Sequence, residues 1–470
     1  MRRATWLPLV ALFGLASASP AQDPSVMGAV NLSGLGNGAP AFPFGLSLAP
    51  DGSLWVAIAG SVFANNDVVA RIALPTMAVV RPTVQVGLFP EEIAFTVDPA
   101  QPGVPRHAWV TVSSAGTIVR VGADPSLPDY LTVTDTVPFP SGPYGPFGIA
   151  VHPTLPRVYA GDFGGTGTVF AFDAVTAQIL PAESLAVPGS HGRLAFAGNR
   201  LIVPATDFSG FPQTCVLVSG VDPSSPGGIW TRCLGCAGPG SYPSGQDVAA
   251  SPAGATFVLP YDLGERSYLL DGASGTLVRT IQSGLGFAQL GIGISPDGAL
   301  VAITDLLQNA VLFLDAGTHQ RLAVVSMFPY HEPNDVVFVG DQLFVTAQAS
   351  EAVVRIGNLP SHAPSPYRLT LAASDSTPLL GAVTTLTLTG GSVAAILVST
   401  EDLPGPLGGG LALEIGPSFS LIAFGAGPSV GVSVPVPNVP DLRCANVFLQ
   451  GVGLIGAEPA TSNSITVIPQ

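Results

Sequence analysis

Apolar and polar positions follow one order that recurs along residues 44–340. A loop with Gly or Pro leads to an apolar strand, a tight turn and a second apolar strand. Seven segments carry it: Phe44-GLSLAPDGSLWVAIA, Pro90-EEIAFTVDP with HAWVTVS, Phe147-GIAVHPTLPRVYAGDF, Gly192-RLAFAGNRLIVPATDF, Gln246-DVAASPAGATFVLPYD, Leu290-GIGISPDGALVAITD and Asn334-DVVFVGDQLFVTAQA. Apolar runs this short, bounded by Gly, Pro, Asp and Ser, have the length of strands and fall short of helices. Several turns read Pro-Asp-Gly or Pro-Ala-Gly, which reverses a strand within a few residues.

Each unit continues into a third strand, as in NDVVARI (66–72), GTIVRVG (116–122), GTVFAFD (167–173), NAVLFLD (309–315) and EAVVRIG (351–357). A more variable fourth follows, as in TLVRTIQ (276–282) and RLAVVSM (321–327). Four antiparallel strands per unit, at a period of about 45–50 residues, predict propeller blades. A lone four-stranded sheet cannot bury both faces; seven stacked around an axis bury them and leave only short edges. The expected fold is therefore all-β, a seven-bladed β-propeller over 22–360. The last unit runs out near residue 359, so a segment from elsewhere must complete it. Val26-MGAVNLS (26–33) is a strand-like stretch without a blade and is the expected closing strand; YRLTLAA (367–373) is the alternative.

After a Pro/Ser/His-rich linker at 361–366 the register changes. Seven or eight short strands between Gly, Pro and Asn turns over 367–470 predict a small β-sandwich-like domain. At the other end, Arg2 and Arg3, an apolar run from Trp6 to Ala16 and small residues up to Ala18 or Ala21 form the pattern of a secretory signal peptide, 1–21. The run is short of the ~20 apolar residues a membrane span needs. The expectation is a secreted, periplasmic or cell-surface protein with no membrane span after cleavage; an uncleaved N-terminal anchor is the alternative.

Composition narrows the partners. Only 10% of residues are charged and the net charge is −15, with all 16 basic residues arginine. Nucleic acids and anionic membrane surfaces need clustered positive charge, so neither is expected. A protein, a glycan or a small molecule remain as ligand classes. Four cysteines in an exported chain point to disulfides. The CLGC at 233–236 has CxxC spacing but no βαβ surroundings. If the hairpin of TCVLVSG (214–220) and IWTRCLG turns near Ser224, Cys215 faces Cys233, and a Cys215–Cys233 cross-strand disulfide is expected.

FPFGLSLAPDGSLWVA and LGIGISPDGALVAI, with Asp173-AVTAQI and Asp271-GASGTL, resemble the YVTN-type and gluconolactonase-like propeller repeats over about two thirds of the chain. The tail, with Gln450 and Ser462-Asn463-Ser464-Ile465, resembles a C-terminal β module of exported planctomycete-like bacterial proteins. The first resemblance implies architecture more than activity, since such repeats host enzymes, binders and scaffolds. The second implies an accessory or surface-association module.

Aligning the first strands puts Gly45, Glu92, Gly148, Arg193, Asp247, Gly291 and Asp335 in one column. The preceding column holds Phe44, Glu91, Phe147, Gly192, Gln246, Leu290 and Asn334. Strand-one loops converge on the central channel, so Glu92, Asp247 and Asp335 are expected at one mouth, with Glu91, Gln246 and Asn334 beside them. Oxygen ligands of this kind suit Ca²⁺ or Mg²⁺. The gluconolactonase resemblance implies an acidic and Asn ring holding a divalent metal that polarises a lactone carbonyl, although blade one offers only Gly45. The structural alternative is that the carboxylates cap channel-lining N–H groups or pair with Arg193. His191, His331 and Glu332 approach the same loops, where a His and a Glu could serve as general acid and base; His152 is expected at a turn. No GxSxG, HExxH, P-loop or EF-hand pattern is present. Two functional classes follow: a non-catalytic binding scaffold without a cofactor, and a divalent-metal-dependent hydrolase (lactonase-like) or lyase at the channel mouth.

Overall fold

The computed structural model describes residues 24–360, apart from loop segments at 36–39, 61–66, 75, 99–100, 210–212, 226–227, 238–242, 252–253, 262–265 and 283–287. Beyond 369 it describes the backbone of strands as far as 467. The signal sequence expected at 1–21 and the linker expected at 361–366 both lie outside the described residues. Among the described residues the one helical element is a 3-10 turn, Pro181–Glu183, and no helix is long and apolar enough to cross a membrane.

Seven antiparallel sheets follow one another as blades of a propeller. Their inner strands are Phe42–Leu48, Pro90–Asp98, Pro146–Val151, the broken pair Ser190–His191 and Ala195–Ala197, Ser244–Ala250, Gln289–Ile294 and Pro333–Val339. The second strands sit between two neighbouring sheets and are mostly apolar. Leu54–Ala59 and Leu300–Asp305 are buried at every position.

Each of the seven interfaces between blades holds its own apolar cluster. Trp55 of blade one meets Phe95 of blade two edge-on at 5.5 Å, and Trp109 of blade two reaches Phe172 of blade three at 6.4 Å. Rings of this size bury enough apolar area to hold neighbouring sheets together without covalent help.

The ring closes through the N-terminal segment. Ser25–Asn31 pairs antiparallel with Ala352–Gly357, from Ser25 opposite Gly357 to Asn31 opposite Ala352, and is the outer strand of blade seven. Val30 then packs with Phe344 and Val353 of blade seven and with Leu46 and Val56 of blade one. The alternative closing segment is excluded: Thr370–Ala373 pairs with Val383–Thr389 instead. Past the propeller, the backbone forms a three-stranded, a four-stranded and a two-stranded antiparallel sheet.

Blade four corrects the cysteine expectation. The bond is Cys215–Cys236, not Cys215–Cys233. The hairpin pairs Gly220 with Trp230, which centres its turn one residue later than Ser224. A bulge then slips the register by one more residue, so Val216 faces Gly235 while Leu217 faces Cys233. Cys236 is thereby carried opposite Cys215, and the Cys233 sulfur lies 3.7 Å from that of Cys236. Cys444 lies outside the described residues.

Candidate functional site: the channel mouth

Antiparallel order fixes which loops share a face. Inner strands start, and second strands end, at one face of the ring, so outer-to-inner and second-to-third connections all lie there. This is the mouth face; the other two kinds of turn form the far face.

The two aligned columns are β-bulges. Pairing of inner with second strand slips between Pro43 and Leu46, Pro90 and Ile93, Pro146 and Ile149, Gly245 and Asp247, Gln289 and Ile292, and Pro333 and Val336. A bulge re-aims side chains that regular alternation would send to the two sheet faces. In blade four the ladder breaks outright at Gly192–Leu194. The inner strands crowd here: a Cβ on Gly45 would lie 2.2 Å from the Glu91 carbonyl oxygen, and one on Gly192 would lie 2.2 Å from that of Gly245. Only glycine allows blades to approach this closely.

Into this mouth the break in blade four delivers Arg193. Its Nε lies 2.5 Å from Glu92 Oε1 of blade two. Its Nη1 lies 3.3 Å from Asp247 Oδ2 of blade five and 3.2 Å from Asp335 Oδ1 of blade seven. Its Nη2 donates to Asn334 Oδ1 at 2.9 Å. One planar guanidinium, with five donors in a fixed fork, thus ties four blades across the axis.

The two aspartates also bridge neighbours. Asp247 accepts from its own neighbour Val248 N (2.7 Å) and from Ile292 N of blade six (2.9 Å). Asp335 accepts from Val336 N (2.8 Å) and from Leu46 N of blade one (2.6 Å). Gln246 enters through its backbone, its carbonyl accepting from Arg193 N at 3.0 Å. Glu91 turns outward to Ser113 Oγ at 2.9 Å.

Four carboxylates around one arginine leave negative charge in excess. Burial pushes Glu91 up to about 7, against the opposing pull of Ser113 and Arg193. Asp247 is likewise pushed up to about 7 by burial, with Arg193 opposing and Asp335 adding to the rise. Glu92 is raised well above the usual range and Asp335 is raised, burial being the main cause for both. Burial disfavours the charge on Arg193, but the carboxylates around it outweigh that and hold it cationic.

Glu92, Asp247 and Asp335 therefore meet as the sequence columns place them. The group they surround is a guanidinium, fixed where a divalent ion would otherwise sit. As arranged, the donor set fits Arg193 and not a Ca²⁺ or Mg²⁺ ion beside that positive charge. Among the described residues no three His, Cys, Asp or Glu side chains are grouped to hold a metal.

The histidines stand apart from this node. His191 is buried, with Nδ1 accepting from Asp162 N at 3.1 Å and Nε2 donating to Val187 O at 2.9 Å, and burial lowers its pKa. Its ring is consumed in joining blades three and four. His331 is exposed, with its ring 6.2 Å from Phe328. The backbone N–H of Glu332 donates to Asn309 Oδ1. His152 caps a far-face turn, accepting from Thr154 N and Leu155 N.

A second ring of contacts escaped the column reading. Thr111, Thr304 and Thr346, on second strands, donate to carbonyls of the next blade's inner strand: Phe147 O (2.6 Å), Asn334 O (3.0 Å) and Phe44 O (3.1 Å). Their signal is a threonine near the end of an otherwise apolar strand, in HAWVTVS, LVAITD and LFVTAQ.

Around the mouth stands a rim of aromatic side chains. Phe44 packs on Phe89 at 4.8 Å and Phe147 on Phe163 at 5.5 Å. Tyr144, Phe163, Phe208 and Phe328 are 67%, 52%, 52% and 75% exposed. All four exposed aromatics among the described residues lie in mouth-face loops, and exposed Leu307 lies in another loop of the same face.

Fold and site together define a seven-bladed β-propeller whose channel mouth is filled by a buried ion-pair node. The sequence matches no protein family and none of the curated proteins. Solved structures share its fold. A chain of Kuenenia stuttgartiensis hydrazine synthase is 15% identical and has a TM-score of 0.54, the match covering 72% of this chain and all of that one. A chain of the mitotic checkpoint complex is 12% identical with a TM-score of 0.54, covering 76% and 98%. The β-propeller domain of Myceliophteria thermophila Cps50 (Swd1) is 11% identical with a TM-score of 0.51, covering 71% and 99%. At these identities the likeness is one of fold.

Proposed function

We propose that this chain is an exported binding scaffold that engages a partner through its mouth face. The observation that carries the reading is the gathering of every exposed aromatic among the described residues on that face, from four separate loops. Large apolar side chains left in solvent on one face of a molecule mark interaction surfaces. The node beneath them supports the same reading: its carboxylates are committed to Arg193 and to backbone N–H groups, which makes it a rigid floor. One similar chain belongs to an assembly named as a complex, the mitotic checkpoint complex, in keeping with a scaffold.

Affinity capture from the medium of the source organism tests this, using the native chain, a Phe163→Ser/Phe328→Ser variant and a far-face Leu155→Ser/Val175→Ser variant. The expected result is one identified partner held by the native and far-face proteins and lost from the mouth-face variant. Retention by all three would refute the reading.

A further inference from the structure

We infer that the partner of the mouth face is a basic polypeptide segment that presents apolar and cationic side chains together. This rests on the scaffold reading above and adds the chemistry of what is bound. Charge on this face is one-sided. No described loop of the mouth face contains an arginine, and the chain has no lysine at all. Arg193, in the node, is 5% exposed and outnumbered by the carboxylates around it. Arg266, at the start of the third strand of blade five, is the other arginine at this end of the sheets among the described residues, and His331 stands in a mouth-face loop. Acids recur there: Asp207 at a second-strand end, Glu332 and Glu351 in loops, and Glu92 with 15% of its side chain exposed at the floor. Arg157 and Arg200, by contrast, begin second strands and so stand at the far face.

An aromatic rim among acidic loops recognises cations twice over, through ring faces and through the carboxylates of Asp207, Glu332 and Glu351. The rim residues Phe163, Phe208 and Phe328 have no polar handle, which suits aliphatic side chains between the basic ones better than sugar hydroxyls. A second copy of the chain is disfavoured because both copies carry a net charge of −15.

The probe is a dye-labelled twelve-residue peptide of alternating Arg and Leu, titrated by fluorescence anisotropy at 0.15 M salt against its Glu-for-Arg counterpart. Saturable binding of the basic peptide is expected, weakened tenfold or more in Phe163→Ser/Phe328→Ser and unchanged in Leu155→Ser/Val175→Ser; the acidic peptide should not bind. These substitutions sit at exposed positions, where they leave folding intact, and an unchanged melting temperature verifies that. Equal binding of both peptides, or equal binding by both variants, overturns the inference. If an identified partner still requires the mouth face in the capture experiment while the basic peptide fails, the partner chemistry alone falls. Self-association that the mouth-face variant abolishes, read by sedimentation, would replace the basic partner with a second copy.

Discussion

At the residue scale, Arg193 decides how the channel behaves. Its removal leaves Glu92, Asp247 and Asp335 facing one another without a counter-charge. Breaking a buried pair by deleting one partner costs about 3–5 kcal/mol, because a buried charge is left uncompensated. Arg193→Met should therefore lower stability by about that much at pH 8. The loss should shrink near pH 5, where the carboxylates, already raised, neutralise themselves by protonation. The same variant opens the centre of an oxygen donor set. Ca²⁺ should raise the melting temperature of Arg193→Met and leave that of the native protein unmoved; an equal shift in both would show that the native node accepts a divalent ion.

Glu91 gives a pH test with a definite sign. Its folded-state pKa of about 7 lies above its usual 4.5, so the native state holds a proton that the unfolded chain gives up earlier. Its contribution to stability is complete below about pH 4.5 and is lost as pH rises through 7. His107 and His319, lowered to about 4 and about 3 by burial and by Arg120 and Arg279 respectively, act in the opposite sense below pH 6.5. Only a comparison of variants isolates the glutamate. Glu91→Gln should flatten the fall in melting temperature between pH 5 and pH 8 relative to the native protein, by the equivalent of roughly 2 kcal/mol. Parallel curves would contradict this.

At the scale of elements, two pairings hold the ring and its fourth blade together. The closing strand Ser25–Asn31 shares a sheet with residues more than 300 positions away, and deleting 22–34 should lower the melting temperature sharply by leaving blade seven three-stranded. The outer hairpin of blade four is stapled by Cys215–Cys236, at a separation of 21 residues; reduction should destabilise the chain by up to about 3 kcal/mol. Peptide mapping without reductant should recover that pair, and a Cys215–Cys233 peptide would contradict the register.

These elements also show why some of the structure was legible in advance. Strand alternation and Pro-Asp-Gly turns are local signals repeated seven times, so blades, count and closing strand followed from them. The columns at 44–45 and 91–92 were legible because the bulge recurs at one spacing from the strand start. The disulfide partner was not, since neither the displacement of the turn by one residue nor the extra residue at Leu234 leaves a mark in a run of apolar and small residues. The threonine ring was legible in principle but looks like ordinary β-branched strand composition.

At the scale of the whole molecule, the ring and its loops divide the labour. The node and the seven apolar clusters make a rigid ring; the loops above it carry the exposed rings and the acidic charge. Rigid elements that display aromatic anchors lose little freedom on binding, which favours affinity. The most direct measurement is carbene footprinting of the captured complex against the free chain, with labelling read at Tyr144, Phe163, Phe208 and Phe328 and, as far-face references, at Leu155 and Val175. The four aromatics should be protected in the complex while Leu155 and Val175 label as before; protection of Leu155 and Val175 with the aromatics unchanged would contradict binding at the mouth face.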